Sequence, residues 1–323
     1  MSEFRIDARG ERITIAPVRA SRPHAFREGE EERREHCPFC PGREAATPPE
    51  LDAVRPEGSN ADTPGWLLRV VPNKFPAFEA AKAKRGPANG LFPSEPAYGR
   101  HEVLVETPEH DVRLSELTAS DLERILEAYQ RRLRAAREDP QIAYACIFKN
   151  QGEESGASME HPHSQLMATP FTPRRVVEEV QALAGGDFAR RVDAELESDR
   201  LIRAGERIAA FAPYDARFAF ETWMVPRTAA PAFEDAPAEE IAEAADTLRD
   251  LLKALDALHK RPDYHLVVST APFRMEGREH YRWRLELFPR LVKIGGFEWA
   301  TGVYVNQVPP EEAARKFRER LEG

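Results

Sequence analysis

Short stretches of alternating or uninterrupted apolar residues recur along the chain and predict β-strands, because successive side chains of a strand point to opposite faces of its sheet. The predicted strands cover residues 12–17, 66–71, 99–108, 142–148, 161–165, 218–226, 264–272 and 281–289. Two other segments repeat apolar residues at helical spacing, which predicts amphipathic helices. The first begins near Ser120, where Ser120 and Glu123 form a predicted capping box, and the second begins near Asp235 and Pro237.

The order of these elements is repeated along the chain. A strand, a helix, a strand, a turn and a strand occur twice, about 120 residues apart, and this self-similarity indicates an internal duplication. The last two strands of each unit are close enough in sequence to pair as hairpins. This favours antiparallel sheets with packed helices, hence an α+β fold. We therefore expect two modules, residues 1–180 and residues 181–323.

The composition of the 323-residue chain narrows its range of partners. A net charge of −9 and an isoelectric point near 5.6 argue against a general role at nucleic acids or membrane surfaces. No apolar run approaches the roughly 18 residues of a membrane-spanning helix, and the N-terminus lacks the apolar core of a signal peptide, so the predicted compartment is the cytoplasm. Three cysteines, an odd and low count, fit reduced thiols there.

The chemistry is concentrated in residues 150–165, which read NQGEESGASMEHPHSQ. A turn with two glycines comes first, and Pro162 favours an extended chain through the segment that follows. On a strand, His161, His163 and Gln165 share one face. A neutral imidazole can attack phosphorus and leave again, while amide groups hold the oxygens that gain charge. We therefore interpret the stretch as a phosphoryl-transfer site; the alternative is a hydrogen-bonded pair of structural histidines.

A Cys-x-x-Cys knuckle at Cys37 and Cys40 supplies half of a tetrahedral zinc site. The redox alternative requires the motif to open a helix after a strand, whereas the prolines and the glycine around it favour a tight knuckle. Two further ligands must come from elsewhere, and His110 and His161 are the candidates. Zinc held by four protein ligands has no open position, so its predicted role is structural.

Two more segments carry residues suited to a nucleotide. Arg19 and Arg22, followed by a proline, form either an anion clamp or a solvated basic turn. Asn73 and Phe75 lie between two prolines and form either a wall of a nucleoside pocket or an ordinary turn at a strand end. Both segments are candidates for substrate binding.

The segment of residues 293–310 mixes glycine with polar and aromatic residues, as a sugar site requires. Glu298 and Gln307 are its candidate partners for sugar hydroxyls, and the alternative is a closing strand with a turn. A final amphipathic helix is predicted to start at Pro309. Residues 80–99 are rich in small residues, proline and glycine, and form either a mobile loop or a lid over the pocket.

The spacing within residues 150–165 resembles the active-site motif of galactose-1-phosphate uridylyltransferases, a family in the histidine-triad superfamily. The resemblance implies that His163 is the nucleophile, that Gln165 holds the nucleotidyl phosphate and that Ser158 contacts the phosphates. It also implies that His161 ligates zinc. Two further motif positions are assigned to substrate binding, Asn150 and Gly156.

The resemblance covers nearly the whole chain. It implies a zinc site built from Cys37, Cys40, His110 and His161. It implies phosphate contacts from Arg19 and Arg22 and a nucleoside pocket at Asn73 and Phe75. It implies hexose contacts from Glu298 and the polar residues near it. Gln307 matches the family pattern only if a gap is placed in the alignment. The family fold is a tandem pair of histidine-triad modules of which only the first keeps its catalytic histidine, and family members are homodimers with sites completed across the interface.

One departure from the family pattern concerns a second metal site. Some members hold a structural iron with histidines near positions that are Arg282, Arg284 and Glu286 here. A guanidinium group stays protonated and cannot ligate a metal. We therefore expect no second metal, and in its place an ion pair of Glu286 with Arg284 or with Arg282.

The main hypothesis is a ping-pong uridylyltransferase that acts on UDP-glucose and a hexose 1-phosphate through a uridylyl group on His163. The alternative enzyme is an ADP-sugar phosphorylase, which shares the fold and the nucleophile and transfers adenylyl to inorganic phosphate. The alternative of another class is a zinc-stabilised nucleotide-binding protein without turnover. The intact His163, Gln165 and Ser158 argue against that last alternative.

Overall fold

The eight predicted strands and the three predicted helices fall close to the positions that the apolar pattern indicates, and the described residues form five further strands and three further α-helices. The computed structural model describes residues 2–7, 10–22, 36–79, 92–182 and 187–322. Its strands are β1 Glu3–Ile6, β2 Arg12–Ile15, β3 Asp52–Val54, β4 Leu68–Pro72, β5 Ser94–Pro96, β6 Arg100–Val105, β7 Tyr144–Gln151, β8 His163–Thr169, β9 Leu201–Ala204, β10 Ile208–Phe211, β11 Thr222–Pro226, β12 Tyr264–Ser269 and β13 Arg284–Pro289. Its α-helices are α1 Ala119–Arg137, α2 Arg174–Ala182, α3 Asp187–Leu196, α4 Ala238–His259, α5 Gly296–Thr301 and α6 Pro310–Leu321.

One ten-stranded antiparallel sheet runs in the order β3-β4-β6-β8-β7-β12-β13-β11-β10-β9. The order is symmetric about its centre, so β6, β8 and β7 of the first half correspond to β11, β13 and β12 of the second. The halves meet where β7 pairs with β12, from Gln151 opposite Tyr264 to Ile147 opposite Val268. A smaller antiparallel sheet contains β2, β1 and β5. The predicted α+β fold with a duplicated antiparallel arrangement is confirmed.

The long helices α1 and α4 bury their apolar stripes against one face of the large sheet. Leu126 of α1 and Leu248 of α4 lie in the same core as Leu166 of β8 and Leu285 of β13. One apolar core therefore spans both halves. The predicted boundary after residue 180 falls within α2, and the division into two modules stays a prediction.

The start of α1 differs from the prediction. The N–H of Asp121 donates to Thr118 Oγ1 over 3.2 Å, and the N–H of Thr118 donates to Asp121 Oδ2 over 3.1 Å. Thr118 has the extended backbone that an N-cap requires, whereas Ser120 already lies inside the helix. The capping box is therefore formed by Thr118 and Asp121, and the predicted pair of Ser120 and Glu123 is wrong.

The segment of residues 293–310 contains α5, and its last residue is the first residue of α6, so the closing strand considered for it is wrong. The last helix begins at Pro310 with Pro309 as its N-cap, as predicted. Most of the predicted loop or lid at residues 80–99 lies outside the described residues, which resume at residue 92. None of the helices that the structure describes is long and apolar enough to cross a membrane.

Candidate active site

A cavity of about 290 Å³ opens on the side of the sheet that faces away from α1 and α4. The ends of β4, β6 and β8 form its floor, because their alternate side chains turn away from the core. Loops before and after these strands form its walls. Seven predicted site residues line it: Arg19, Arg22, Asn73, Phe75, Ser158, His163 and Gln165.

His163 is the first residue of β8 and lies buried at the cavity wall. Its Nδ1–H donates to the backbone carbonyl of His161 over 2.9 Å, which leaves Nε2 without a proton. Burial, followed by the charge of Lys149, lowers the pKa of His163 to about 4. The imidazole is therefore neutral at pH 7, and Nε2 offers its lone pair to an electrophile.

A buried ion pair lies directly behind the histidine. Lys149 Nζ is 2.6 Å from Glu106 Oε2, and it donates to the carbonyl oxygen of His163 over 3.3 Å. Tyr129 and Ser164 donate their hydroxyls to the other oxygen of Glu106. The sequence pattern did not indicate this cluster. Its only signal was a charged residue at the end of each of two apolar strands.

Gln165 extends from β8 into the same cavity. Its Oε1 lies 2.9 Å from Nε2 of His101, and His101 Nδ1 accepts a hydrogen bond from the N–H of Ala77 over 3.0 Å. Burial is the main cause that lowers the pKa of His101 to about 4, so this ring is also neutral. His101 therefore contacts a predicted site residue, although the sequence pattern did not assign it to the site.

The turn between β7 and β8 is held by the second half of the chain. Gly152 and Gly156 have positive φ angles of 84° and 77°, which glycine adopts without strain. Asp263 Oδ2 accepts a hydrogen bond from the N–H of Glu154 over 2.8 Å, and a Cβ atom added at Gly152 would lie 1.9 Å from Asp263 Oδ1. The turn leads into Ser158, so the second half helps to place a residue of the cavity wall.

The two predicted arginines lie together at the cavity. Arg19 Nη1 donates to the carbonyl oxygen of Phe75 over 3.1 Å, and Phe75 N–H donates to Asn73 Oδ1 over 2.8 Å. Burial, and next the charge of Arg22, lower the pKa of Arg19, but a guanidinium group stays charged at neutral pH. The predicted anion clamp and the predicted nucleoside wall are therefore one connected unit.

A compact group beside the cavity is formed by Cys37, Cys40, His110 and His161, whose ligand atoms all lie within 4.8 Å of one another. His161 Nε2–H donates to the carbonyl of Thr107 over 2.8 Å, so its Nδ1 faces the two sulfurs at 3.6 and 3.7 Å. Burial raises the pKa of the Cys37 thiol to about 12, so a thiolate here requires a cation beside it. Two sulfurs and two oriented imidazoles fit zinc. The predicted set is confirmed as a group that could hold a metal ion.

Four predicted substrate residues do not line the cavity: Asn150, Gly156, Glu298 and Gln307. Asn150 Oδ1 accepts a hydrogen bond from His265 Nδ1–H over 3.0 Å, across the contact of β7 and β12. Glu298 and Gln307 line a separate small cavity with Arg217 and Lys293. Their contacts to substrate stay predictions.

The corresponding position in the second half carries paired charges. Arg284 begins β13 as His163 begins β8. Its Nη2 lies 3.0 Å from Glu286 Oε1 and 2.6 Å from Glu179 Oε1. The predicted ion pair of Arg284 with Glu286 is confirmed. Arg282 instead donates to the carbonyl oxygen of Pro226 over 3.3 Å.

Family models match both parts of the chain. The model for the N-terminal domain of galactose-1-phosphate uridyl transferase matches residues 5–173. A model described as a domain of unknown function matches residues 116–323. The two matches overlap in the segment that contains β7 and β8.

Individual relatives extend over most of the chain. An ADP-glucose phosphorylase of Arabidopsis thaliana is 30% identical over 320 residues, which cover 95% of this chain and 89% of the relative. A galactose-1-phosphate uridylyltransferase of Thermotoga maritima is 29% identical over 301 residues, which cover 88% of this chain and 89% of the relative. The crystal structure of an ADP-glucose phosphorylase from Arabidopsis thaliana with bound ADP-glucose superposes with a TM-score of 0.78 at 30% identity, covering 99% of both chains.

Proposed function

The chain belongs to the galactose-1-phosphate uridylyltransferase family, and from that premise we propose that it transfers a nucleoside 5′-monophosphate from a nucleotide sugar to a phosphate acceptor. The observation that carries the proposal is the state of His163. Its Nδ1–H is bound by the carbonyl of His161, and its unprotonated Nε2 belongs to a ring that lines a cavity with two arginines. A neutral, oriented imidazole beside cationic groups is the arrangement that nucleophilic attack on phosphorus requires.

The transfer takes place in two displacements. In the first, His163 Nε2 forms a bond to the α-phosphorus and the bond to the sugar 1-phosphate breaks, with the electron pair leaving on the sugar phosphate. In the second, a phosphate oxygen of the acceptor attacks the same phosphorus and the nitrogen–phosphorus bond breaks. The proton on Nδ1 stays in place throughout, hydrogen-bonded to the carbonyl of His161.

The remaining cavity residues stabilise the charge of the phosphoryl groups. Gln165 and Ser158 hold the oxygens of the reacting phosphorus, and Arg19 and Arg22 bind the other phosphate. Phe75 forms part of the nucleoside wall with Asn73. These roles are proposals that agree with the position of each side chain on the cavity.

The metal in this proposal is a structural zinc bound by Cys37, Cys40, His110 and His161. A zinc ion with four protein ligands provides a rigid cross-link and takes no part in the chemistry. His161 then has two functions, since its ring is a ligand and its carbonyl orients His163. Phe39, between the two cysteines, lines the cavity 5.4 Å from the His163 ring.

The nucleobase distinguishes two candidate reactions. We propose uridylyl transfer between UDP-glucose and a hexose 1-phosphate such as galactose 1-phosphate as the main activity, supported by the matching N-terminal domain and by the Thermotoga maritima relative. The second candidate is an ADP-sugar phosphorylase that transfers adenylyl to inorganic phosphate. It is favoured by 30% identity to the Arabidopsis thaliana enzyme over 95% of this chain.

The hexose contacts are proposed to form in a homodimer. Glu298 and Gln307 lie outside the cavity of His163, and the segment that carries them exposes Phe297, Trp299 and Val303 to solvent. Apolar surface of this kind marks contact sites between proteins. In the proposal, association of two copies covers this segment and completes each site.

The deciding experiment is the intact mass of the protein after brief incubation with UDP-glucose or with ADP-glucose, without an acceptor. A mass gain of one UMP, absent in His163→Ala, is the expected result. A gain of one AMP selects the phosphorylase. Galactose 1-phosphate and inorganic phosphate are then added to the labelled protein to identify the acceptor that removes the label. No adduct with either nucleotide sugar would overturn the proposal and favour a nucleotide-binding protein without turnover.

A further inference from the structure

We infer that His101 is a positioning residue, which determines which end of the Gln165 amide faces the cavity. The inference rests on the proposed function, because the orientation of this amide matters only for a phosphoryl substrate. His101 lies on β6 and Gln165 on the adjacent β8, where Gln165 is opposite Val103. The two side chains are therefore diagonal neighbours on the cavity face of the sheet.

The protonation of the His101 ring follows from a backbone contact. The N–H of Ala77 points at His101 Nδ1 over 3.0 Å, and a backbone N–H is always a donor. Nδ1 is therefore the acceptor nitrogen of the neutral ring, and Nε2 carries the hydrogen. That hydrogen is donated to Gln165 Oε1, 2.9 Å away.

Asn73 does not compete for this hydrogen. Its Nδ2 lies 3.1 Å from His101 Nε2, while its Oδ1 accepts from Phe75 N–H over 2.8 Å. The end of Asn73 that faces His101 is thus a donor. Among the contacts described for His101 Nε2, Gln165 Oε1 is the acceptor.

The orientation matters because the two ends of an amide have opposite polarity. Phosphate oxygens accept hydrogen bonds and donate none, so they require the NH₂ end of Gln165. With Oε1 held by His101, the NH₂ group is left to face the cavity. Rotation of the amide would point a carbonyl oxygen at the phosphate, which would repel it. It would also leave His101 Nε2–H without an acceptor, between the NH₂ groups of Gln165 and Asn73.

The first test measures the rate at which the nucleotide sugar labels His163. His101→Leu removes the donor, and we expect labelling to slow by about tenfold to a hundredfold, less than the loss of a direct donor to the transition state. In His101→Gln the amide nitrogen takes the place of Nε2, and we expect a rate within about fivefold of the wild type. In a Gln165→Ala background, His101→Leu is expected to slow labelling by less than about twofold.

The second test separates positioning from a general structural role. The probes are the two α-thio diastereomers of the nucleotide sugar that labels the wild type, since sulfur accepts hydrogen bonds more weakly than oxygen. We expect the rate ratio of the two diastereomers to change in His101→Leu as it does in Gln165→Ala. A disturbed fold slows both diastereomers alike. His259→Leu, at the end of α4 with its ring 4.3 Å from that of Phe220, is the matched control and is expected to keep the wild-type rate.

Three results would overturn the inference: a wild-type labelling rate in His101→Leu, the same loss in the Gln165→Ala background, or a folded His101→Gln that is as slow as His101→Leu. If the wild type itself takes no label, the proposed function fails, and the inference fails with it. A labelled wild type with no dependence on His101 leaves the proposed function standing and removes the inference alone.

Discussion

The two halves of the central sheet use equivalent strand positions in opposite ways. At the start of β8, His163 has one ring nitrogen bound by a carbonyl, while the ring lines an open cavity. At the start of β13, Arg284 also lines a cavity, but its guanidinium is paired with Glu179 and Glu286 and lies 4.5 Å from the ring centre of Trp223. The first half therefore presents a neutral imidazole to its cavity, whereas the second half presents a guanidinium whose charge is paired with two carboxylates.

In this duplicated fold, the residue proposed to react lies in the first half, and residues of the second half help to hold the site around it. The second half contributes Asp263, which holds the turn before Ser158, and His265, which holds Asn150. Both lie at the edge of the second half where β12 pairs with β7. The second half is therefore part of the framework that shapes the candidate site of the first half.

The strongest test of the comparison removes the nucleophile. In His163→Ala we expect turnover to fall by on the order of 10⁴-fold or more, because no covalent intermediate can form. Thermal unfolding should change by only a few degrees, since the Lys149–Glu106 pair and the metal ligands remain. Initial rates and adduct mass measure the effect. Retention of a tenth of the wild-type rate would show that the chemistry lies elsewhere.

The next largest effect is expected from the metal group, which belongs to the first half alone. Cys40→Ser, or treatment with a strong chelator, should remove one zinc per chain, lower Tm by about 10 °C and abolish labelling of His163. Metal analysis and calorimetry measure these changes. The matched control is Cys146→Ser, which lies outside the group and should keep both zinc and Tm. Equal effects of the two substitutions would contradict the assignment.

Breaking the charge cluster of the second half should affect stability and leave the chemistry intact. Arg284→Met removes the cation that Glu179 and Glu286 share and leaves Arg217 as the remaining ion-pair partner of the buried Glu286 carboxylate. We expect a loss of about 3 kcal/mol in the free energy of unfolding. The labelling rate of the folded variant should stay within about twofold of the wild type. Denaturant unfolding and adduct mass give the two readouts. A large loss of labelling in a folded variant would show that this cluster supports the active site.

The smallest expected effect tests the contact between the halves. In Gly152→Ala, alanine must adopt a φ of 84°, and its Cβ atom lies 1.9 Å from Asp263 Oδ1. We therefore expect a loss of about 2 kcal/mol in the free energy of unfolding, together with slower labelling of His163. Gly58→Ala is the matched control, because Gly58 has a φ of 81° and no atom within 4 Å of the added Cβ. It should lose about 1 kcal/mol and label normally.

Adding Asp263→Ala to Gly152→Ala separates steric overlap from backbone strain. The overlap disappears in the double variant, so part of the lost stability should return, although the hydrogen bond to Glu154 is also lost. Denaturant unfolding of the two variants gives the comparison. Equal losses in Gly152→Ala and Gly58→Ala would mean that Asp263 does not restrain the turn.

Local pattern was sufficient to predict the central elements and several residues of the candidate site. Strand and helix periodicity located both long helices and the three strands on either side of the contact between the halves, because burial selects apolar residues at fixed spacing, but it missed the short strands β1, β3, β5, β9 and β10. Residue chemistry indicated the phosphoryl-transfer stretch and the four members of the metal group, because thiolate and imidazole are the ligands that structural zinc prefers, and the family resemblance assigned the nucleophile to His163. The capping box of α1 was misplaced by two residues, because Thr118 and Ser120 both suit an N-cap and packing selects between them.

The sequence by itself therefore determined the α+β class, the repeated order of elements and the group that could hold a metal ion, and it led to the proposal that His163 is the nucleophile. Only the tertiary structure decided the partners of these residues. Lys149 and Glu106 are 43 positions apart, and His101 and Gln165 are 64 positions apart. Whether such residues meet depends on strand register, which backbone pairing across the whole sheet sets. The same reason explains why Asn150 contacts His265 and why Glu298 and Gln307 line another cavity.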